Sequence, residues 1–371
     1  EFKPREYQNL IINQILDKPR TAIWAGMGMG KTSSTLTALE TMYLAGESRP
    51  TLVLAPLRVC NSTWPEEAHK WAHLTEIDVQ PVTGDEKNRL AALKRDASIY
   101  ACNYQNIPWL VDHYGAHWPF GTVVADESTR LKSFRLRQGG VRAQALAKVA
   151  HKNVKRFINL TGTPAPNGLQ DLWGQTWFLD AGQRLGRTYS AFTDRWFCRT
   201  ADGFGRELRS QSAADEIYNK LRDICLTIEA RDWFDLNEPI VKEIEVEMPR
   251  SARRLYDQLK KDLILQIEQH TITAANAAVK TQKLLQMANG AAYVDPNTED
   301  DHDPRAREYR IVHDAKLEAL DSIIEECNGA PILLAYNFRS DLERILKAFK
   351  FAEVLDDNPE TLRRWNSGKI R

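Results

Sequence analysis

The chain of 371 residues is short of cysteine and has no excess charge of either sign. Its five cysteines (Cys60, Cys102, Cys198, Cys225, Cys327) are scattered and form no Cys-x-x-Cys pair. That argues against a disulfide framework or a cysteine-built zinc site and favours a reducing, intracellular setting. Fifty Lys and Arg balance fifty Asp and Glu, so a polyanionic partner must be held by local patches and not by a global field. No apolar run is long enough to span a bilayer, and the N-terminus lacks a secretory pattern. There is no internal repeat and no low-complexity tail. The length suggests two domains with room for an insertion.

What the chain does have is Trp24-Ala25-Gly26-Met27-Gly28-Met29-Gly30-Lys31-Thr32. Three glycines at alternate positions leave the backbone free of Cβ atoms, so successive N–H groups can turn around an anion. Lys31 supplies a point charge for β- and γ-phosphates, and the Thr32 hydroxyl suits Mg²⁺. Thr21 to Trp24 reads as a short buried strand. Leu36, Leu39, Met42 and Tyr43 recur at helical spacing up to Gly46, a C-terminal cap. A strand, a glycine loop and a helix place a phosphate on a helix N-terminus.

Further strands are expected at 51–55, 98–102, 122–125 and 156–160, alternating with helical patterns, which implies a parallel sheet with ligands at the carboxyl ends of its strands. Residues 1–16 show one apolar helical face, and Trp64, Ala68, Trp71 and Ala72 suggest another helix. Residues 171–235, rich in Trp and Phe, read as a packed helical insertion. Ile244 and Val246 suggest a strand leading into helices through Gln282, 297–304 a polar loop, 313–326 a helix and 331–336 a buried strand of a second α/β domain.

Two carboxylates, Asp126 and Glu127, close the strand at 122–125. Phosphoryl transfer needs one carboxylate at the metal and another to orient and deprotonate water, so Asp126 suits Mg²⁺ and Glu127 the water. Thr161-Gly162-Thr163-Pro164 closes the next strand, where hydroxyls and a tight turn can sense the γ-phosphate. From position 128 to 170 there is no Asp or Glu, while Arg130, Lys132, Arg135, Arg137, Arg142, Lys148, Lys152, Lys155 and Arg156 all fall there. Such a stretch can neutralise nucleic-acid phosphates.

Taken in order, these blocks resemble a Swi/Snf-like ATPase of helicase superfamily two, in a compact phage or bacterial form. Arg5-Glu6-Tyr7-Gln8 is similar to the block whose glutamine reads adenine, and 25–32 to the phosphate loop, in the variant with alanine at its head. Leu54-Ala55-Pro56-Leu57 with Trp64, and Tyr100-Ala101-Cys102-Asn103-Tyr104, resemble DNA-contacting blocks. Asp126-Glu127-Ser128-Thr129 with Leu131-Lys132-Ser133 resembles the metal and water motif. Leu160-Thr161-Gly162-Thr163-Pro164 with Asn167 and Leu172-Trp173 is the block most specific to this branch. Lys316 to Leu320 and Leu333 to Arg339 resemble the start of a second motor lobe.

The resemblance implies an α/β fold: a RecA-like ATP-binding lobe over 1–242, with the insertion at about 171–235, and the start of a second RecA-like lobe over 243–371. It implies ATP and Mg²⁺ as cofactors. Tyr7, Gln8 and Met27-Gly28-Met29-Gly30-Lys31-Thr32 would hold nucleotide, Thr32 and Asp126 the metal, and Lys31, Asp126 and Glu127 would be catalytic. Thr161, Gly162 and Thr163 would couple the two activities, and Arg58, Asn103, Lys132 and Arg339 would contact DNA. The implied activity is an ATP-dependent translocase on double-stranded DNA in a bacterial or phage-infected cytoplasm. A strand-separating DNA or RNA helicase and a catalytically incomplete DNA-binding module are the alternatives. A protein partner, such as a nuclease or a replication or recombination factor, is not readable from the residues. The family's last two motifs, one carrying arginines that reach the γ-phosphate, fall beyond Arg371, so the second lobe is expected to be incomplete and turnover weak. Gln183-Arg184-Leu185-Gly186-Arg187 only superficially resembles that arginine motif, because it follows no strand and precedes the second domain.

Overall fold

The computed structural model describes residues 2–200, 205–234, 241–268, 274–293, 308–327, 329–356 and 358–370. The chain divides into two units, Glu1–Asn237 and Glu238–Arg371.

In the first unit, α1 (Glu6–Asp17) leads into β1 (Arg20–Ala25), and α2 (Lys31–Leu44) into β2 (Thr51–Ala55). A π-helical turn at Val59–Thr63 runs into α3 (Trp64–Lys70), followed by β3 (Val79–Val82), α4 (Glu86–Leu93), β4 (Ile99–Asn103) and α5 (Ile107–Tyr114). Then come β5 (Thr122–Asp126), α6 (Val141–Ala150), β6 (Arg156–Thr161), α7 (Leu172–Asp180) and α8 (Tyr189–Trp196). A hairpin of β7 (Phe197–Arg199) and β8 (Arg206–Leu208), α9 (Gln211–Leu221) and β9 (Cys225–Ile228) complete it.

Seven strands form one parallel sheet in the order β3-β4-β2-β5-β6-β1-β9. The inner strands β2, β4 and β5 are buried at every position, which is why they read as unbroken apolar runs and not as alternating ones. Side chains still alternate between two cores. Ile23, Val53, Val124 and Ile158 join Ile11 and Ile15 of α1 and Leu36 and Leu39 of α2 on one face. Trp24, Leu52, Leu54, Val123 and Phe157 join Leu146 of α6 and Trp173 and Phe178 of α7 on the other. Helices on both faces make this a doubly wound sheet.

The segment 171–235 departs from the expected helical insertion. It contains α7 to α9, but β9 extends the main sheet beside β1, with Ile23 opposite Leu226, and Trp173, Phe192 and Trp196 belong to the main core. An edge strand of four residues with mixed burial carries too weak a periodic pattern to be separated from its helical surroundings.

The second unit holds α10 (Arg250–Glu268), α11 (Ala274–Asn289), an antiparallel pair β10 (Ala291–Tyr293) and β11 (Tyr309–Ile311), then α12 (Ala315–Glu326), α13 (Arg339–Ala348) and α14 (Pro359–Asn366). Two expected strands are not formed. Ile244 and Val246 lie in backbone with no regular secondary structure and are 49% and 36% exposed. Residues 331–336 are likewise irregular, with Leu333 69% exposed. A buried strand needs ladder partners on its flanks, and none of the described residues supplies one here. An apolar cleft of about 730 Å³ beside this segment is lined by Leu333, Leu334, Phe349, Phe351 and Leu355 among others, with Tyr336, Glu353, Thr361 and Lys369 as its polar groups. The polar loop expected at 297–304 lies outside the described residues.

Candidate active site

Three loops meet because three strands are neighbours. β6 lies between β5 and β1. Their carboxyl ends therefore bring together the Thr161–Pro164 turn, the Asp126–Glu127 pair and the glycine loop, which are far apart in sequence. The meeting is close: a side-chain carbon added at Gly162 would lie 3.4 Å from the Ala25 carbonyl oxygen and 3.5 Å from Gly26 Cα.

The glycine loop has the conformation its composition allows. Gly28 and Gly30 have φ of 75° and 67°, values at which a Cβ is strained. Gly30 is the N-cap of α2, and no side chain caps the helix. The first N–H groups of α2 therefore have no capping partner from the chain, and the dipole adds partial positive charge, so the end is suited to a phosphate. The Lys31 ammonium donates to the carbonyl oxygens of Ala25 (2.7 Å) and Gly26 (2.9 Å). Burial lowers its proton affinity, and the charges of Asp126 and Glu127 act in the opposite direction. Thr32 lies half-buried in the first turn of α2, Met27 is exposed at the loop tip, and Met29 is buried.

Asp126 ends β5 almost withdrawn from water, 9% exposed. Burial raises its carboxyl pKa above the usual range; the Trp64 hydrogen bond pulls it back down, Glu127 pushes it up, and Lys31 lowers it. The Trp64 indole N–H donates to Asp126 Oδ2 at 2.9 Å, and the Tyr104 hydroxyl donates to the Asp126 backbone oxygen at 2.8 Å. Glu127 is half-buried and adopts φ 59°, ψ 56°. A left-handed glutamate is an uncommon and mildly strained conformation. Among the described residues no three His, Cys, Asp or Glu side chains cluster as a metal cage. Thr32 and Asp126 suit Mg²⁺, which keeps most of its shell as water and phosphate oxygens.

At the start of the chain, Tyr7 is buried against Trp233 and Phe234, with ring centroids 5.5 and 5.7 Å away. Gln8 Oε1 accepts from the Arg5 N–H at 2.9 Å, and its Nε2 packs so closely on Gly30 that a Cβ there would approach to 2.1 Å. Gln8 thus touches the phosphate loop itself, a contact that the spacing of the two blocks does not announce.

Of the residues expected at DNA, Asn103, Arg58 and Lys132 follow or end β4, β2 and β5 at the same edge of the sheet. Asn103 pairs in register with Ala55, but it is 7% exposed and its amide is engaged by Gln105 and Asn106. Arg58 heads the π-helical turn, and its Nη2 is buried without a hydrogen-bond partner. Lys132 pairs with Asp171 at 3.3 Å. Arg339 lies in the second unit, at the start of α13, where it pairs with Glu343. The basic stretch is not one free face. Arg156 donates to Ile15 and Leu16 carbonyls and Arg135 lies over Tyr189 at 3.4 Å, whereas Arg130, Arg137, Arg142, Lys148, Lys152 and Lys155 are exposed. Arg184 is held by Asp180 and Asp223 in the turn after α7, which suits a structural role.

Comparison with known proteins agrees with this arrangement. The SNF2-related domain matches residues 20–291. Putative protein p41 of Acyrthosiphon pisum secondary endosymbiont phage 1 is 56% identical over 374 residues, covering all of this chain and 79% of that protein. Helicase SWR1 of Yarrowia lipolytica is 26% identical over 255 residues, covering 63% of this chain and 13% of that protein; the chain spans only a small part of such eukaryotic relatives. A solved Sulfolobus solfataricus SWI2/SNF2 ATPase core in complex with dsDNA superimposes with a TM-score of 0.52 at 20% identity, covering 100% of this chain and 75% of that one, a likeness of fold. The family domain spans most of the chain and the phage relative all of it: the chain belongs to the SNF2-related ATPase family.

Proposed function

We propose that this chain is an ATP-dependent motor that translocates on double-stranded DNA. The observation that carries this reading is the convergence of the glycine loop, the Asp126–Glu127 pair and the Thr161–Pro164 turn on the adjacent ends of β1, β5 and β6. In this reading Lys31 leaves the carbonyls of Ala25 and Gly26 for the β- and γ-phosphates, and Gln8 and Tyr7 contact the base. Thr32 and Asp126 would hold Mg²⁺, which would supply charge neutralisation for the transferring phosphoryl group. Glu127 orients the attacking water and accepts its proton. Gly162, against Ala25 and Gly26, makes the Thr161–Pro164 turn sensitive to the loop that holds the phosphates. Arg58 and Lys132, at the same edge of the sheet, contact the DNA backbone, so binding is expected to be insensitive to base sequence.

The test sets displacement of a third strand from a DNA triplex beside separation of a forked duplex, each with ATP. Third-strand displacement without strand separation is the expected result. Efficient separation would favour a helicase, and ATP binding with neither activity a DNA-binding module.

A further inference from the structure

We propose that Gln175 of α7 is a positioning residue that ties the carboxylate loop to the Thr161–Pro164 turn, so that the two respond to nucleotide together. The proposal rests on the ATPase reading of the site. Gln175 is 3% exposed and belongs to none of the motif blocks that define the family likeness. Its side chain has a partner on each loop. Gln175 Oε1 accepts from the Ser128 hydroxyl at 2.9 Å, one residue beyond Glu127. Its Nε2 donates to the Pro164 carbonyl at 2.7 Å and to the Asp171 carbonyl at 3.0 Å. Ser128 is wholly buried and its bond to Gln175 is buried with it, so that end cannot exchange its partner for water without opening the structure, while the Pro164 end is only partly buried.

The surroundings hold Gln175 in place and bring the two loops within its reach. Asn159 of β6 donates to the Gln175 backbone oxygen at 3.1 Å. Next to it, Gly174 lets α7 lie directly on the carboxylate loop: a Cβ there would come within 2.5 Å of the Lys132 carbonyl oxygen and 2.7 Å of that of Leu131. One turn earlier, the Asp171 carboxylate takes Lys132 from the carboxylate-loop side at 3.3 Å and the Asn167 N–H from the other side at 3.0 Å. The start of α7 is therefore a junction with two bridges that share Asp171, of which the Gln175 bridge is the more deeply buried. Glu127 sits in a left-handed conformation at the root of this loop. A shift at Glu127 or Ser128 on phosphate binding has a hydrogen-bonded route to Pro164, and a packed side chain with partners at both ends moves as a unit.

Hydrogen exchange of the whole chain, with and without Mg²⁺, ADP and beryllium fluoride, tests the bridge. In the unmodified protein, nucleotide is expected to slow exchange by about tenfold or more in both 126–132 and 161–168. Gln175→Met keeps the length and volume of the side chain but not its polar atoms. It is expected to retain slowing at 24–32 and 126–132 while most of the slowing at 161–168 is lost. Ser128→Ala cuts the same bridge from the other end, should give the same split, and serves alone if the Met variant does not fold. Undiminished slowing at 161–168 in a folded variant would overturn the bridge and leave the ATPase reading standing. No slowing at 24–32 in the unmodified protein would overturn both.

Discussion

Trp64 and Asp126 are joined by a 2.9 Å hydrogen bond between an indole N–H and a carboxylate oxygen, and Trp64 is fully buried. The two residues come from different blocks, the helix after β2 and the end of β5, so the carboxylate assigned to Mg²⁺ is oriented by the segment that follows Arg58. Trp64→Phe keeps most of the apolar volume and removes the donor. A hydrogen bond to a charged group contributes about 1.5–3 kcal/mol, so the affinity for Mg²⁺–nucleotide should fall by roughly 10- to 150-fold. Titration of a fluorescent nucleotide at several Mg²⁺ concentrations reads this directly; unchanged Mg²⁺ dependence would refute it.

Asp126 should also weaken the fold that it serves. Its raised pKa means that the folded state holds its proton more tightly than the unfolded chain. Stability from this group is therefore fullest below the ordinary carboxylate range. It falls as pH rises through the window up to the raised value, and is flat above it. Asp126→Asn keeps an acceptor for Trp64 and removes the buried charge beside Glu127. Without nucleotide or Mg²⁺ at pH 7, its melting temperature should rise, by about 2–4 °C for each kcal/mol regained, while Mg²⁺-dependent nucleotide binding falls. A lowered melting temperature would contradict the burial argument.

Lys31→Ala should separate folding from binding. The ammonium is satisfied by two carbonyls of its own loop, in part-buried hydrogen bonds, and its removal takes a partly desolvated cation out of the loop. The melting temperature should change little, whereas nucleotide affinity should fall by about tenfold or more, the scale of a charge-assisted hydrogen bond. Calorimetric titration with a non-hydrolysable ATP analogue measures it.

Glu127→Gln preserves shape and hydrogen-bonding capacity but cannot take a proton. Nucleotide affinity should stay within about threefold, while whatever turnover the unmodified protein shows should fall by about 10²–10⁴-fold, the usual contribution of a general base. Equal turnover would remove Glu127 from the chemistry.

The exposed arginines after the carboxylate loop should contribute to DNA affinity through salt-dependent contacts. Each lost phosphate contact lowers the slope of log affinity against log salt by about 0.9. Arg137→Ala and Arg142→Ala, both at exposed positions, should each show that change with no dependence on base sequence. Arg156→Ala, whose guanidinium serves Ile15 and Leu16, should lower stability instead and leave the slope intact.

The parts legible from the residues were those whose burial is uniform. β1, β2, β4, β5 and β6 are apolar on both faces and stand out as runs, and the chemistry at their ends follows from position. β3 did not stand out, because it is a four-residue edge strand carrying Pro81, which an edge tolerates and a pattern search rejects. Residues 331–336 show the converse: an apolar run signals a strand only where partners exist. Trp64 was legible as a helical residue but not as a partner of Asp126, and Gln175 was not legible at all. Its importance lies in which loops it touches, and no spacing along the chain encodes that.

The pairing of β1 with β6, in which Ile23 stands opposite Leu160, bears on biosynthesis. The phosphate loop is encoded early, yet the strand that completes its floor is made far later, and closing so long a loop is slow and entropically costly. Nascent chains that end before β6 would carry the full glycine motif and still be unable to grip a nucleotide. On the proposed nucleotide site, capture during translation would be a stopwatch for this domain, starting only when the strand that carries Asn159 and Thr161 has left the ribosome and found its place.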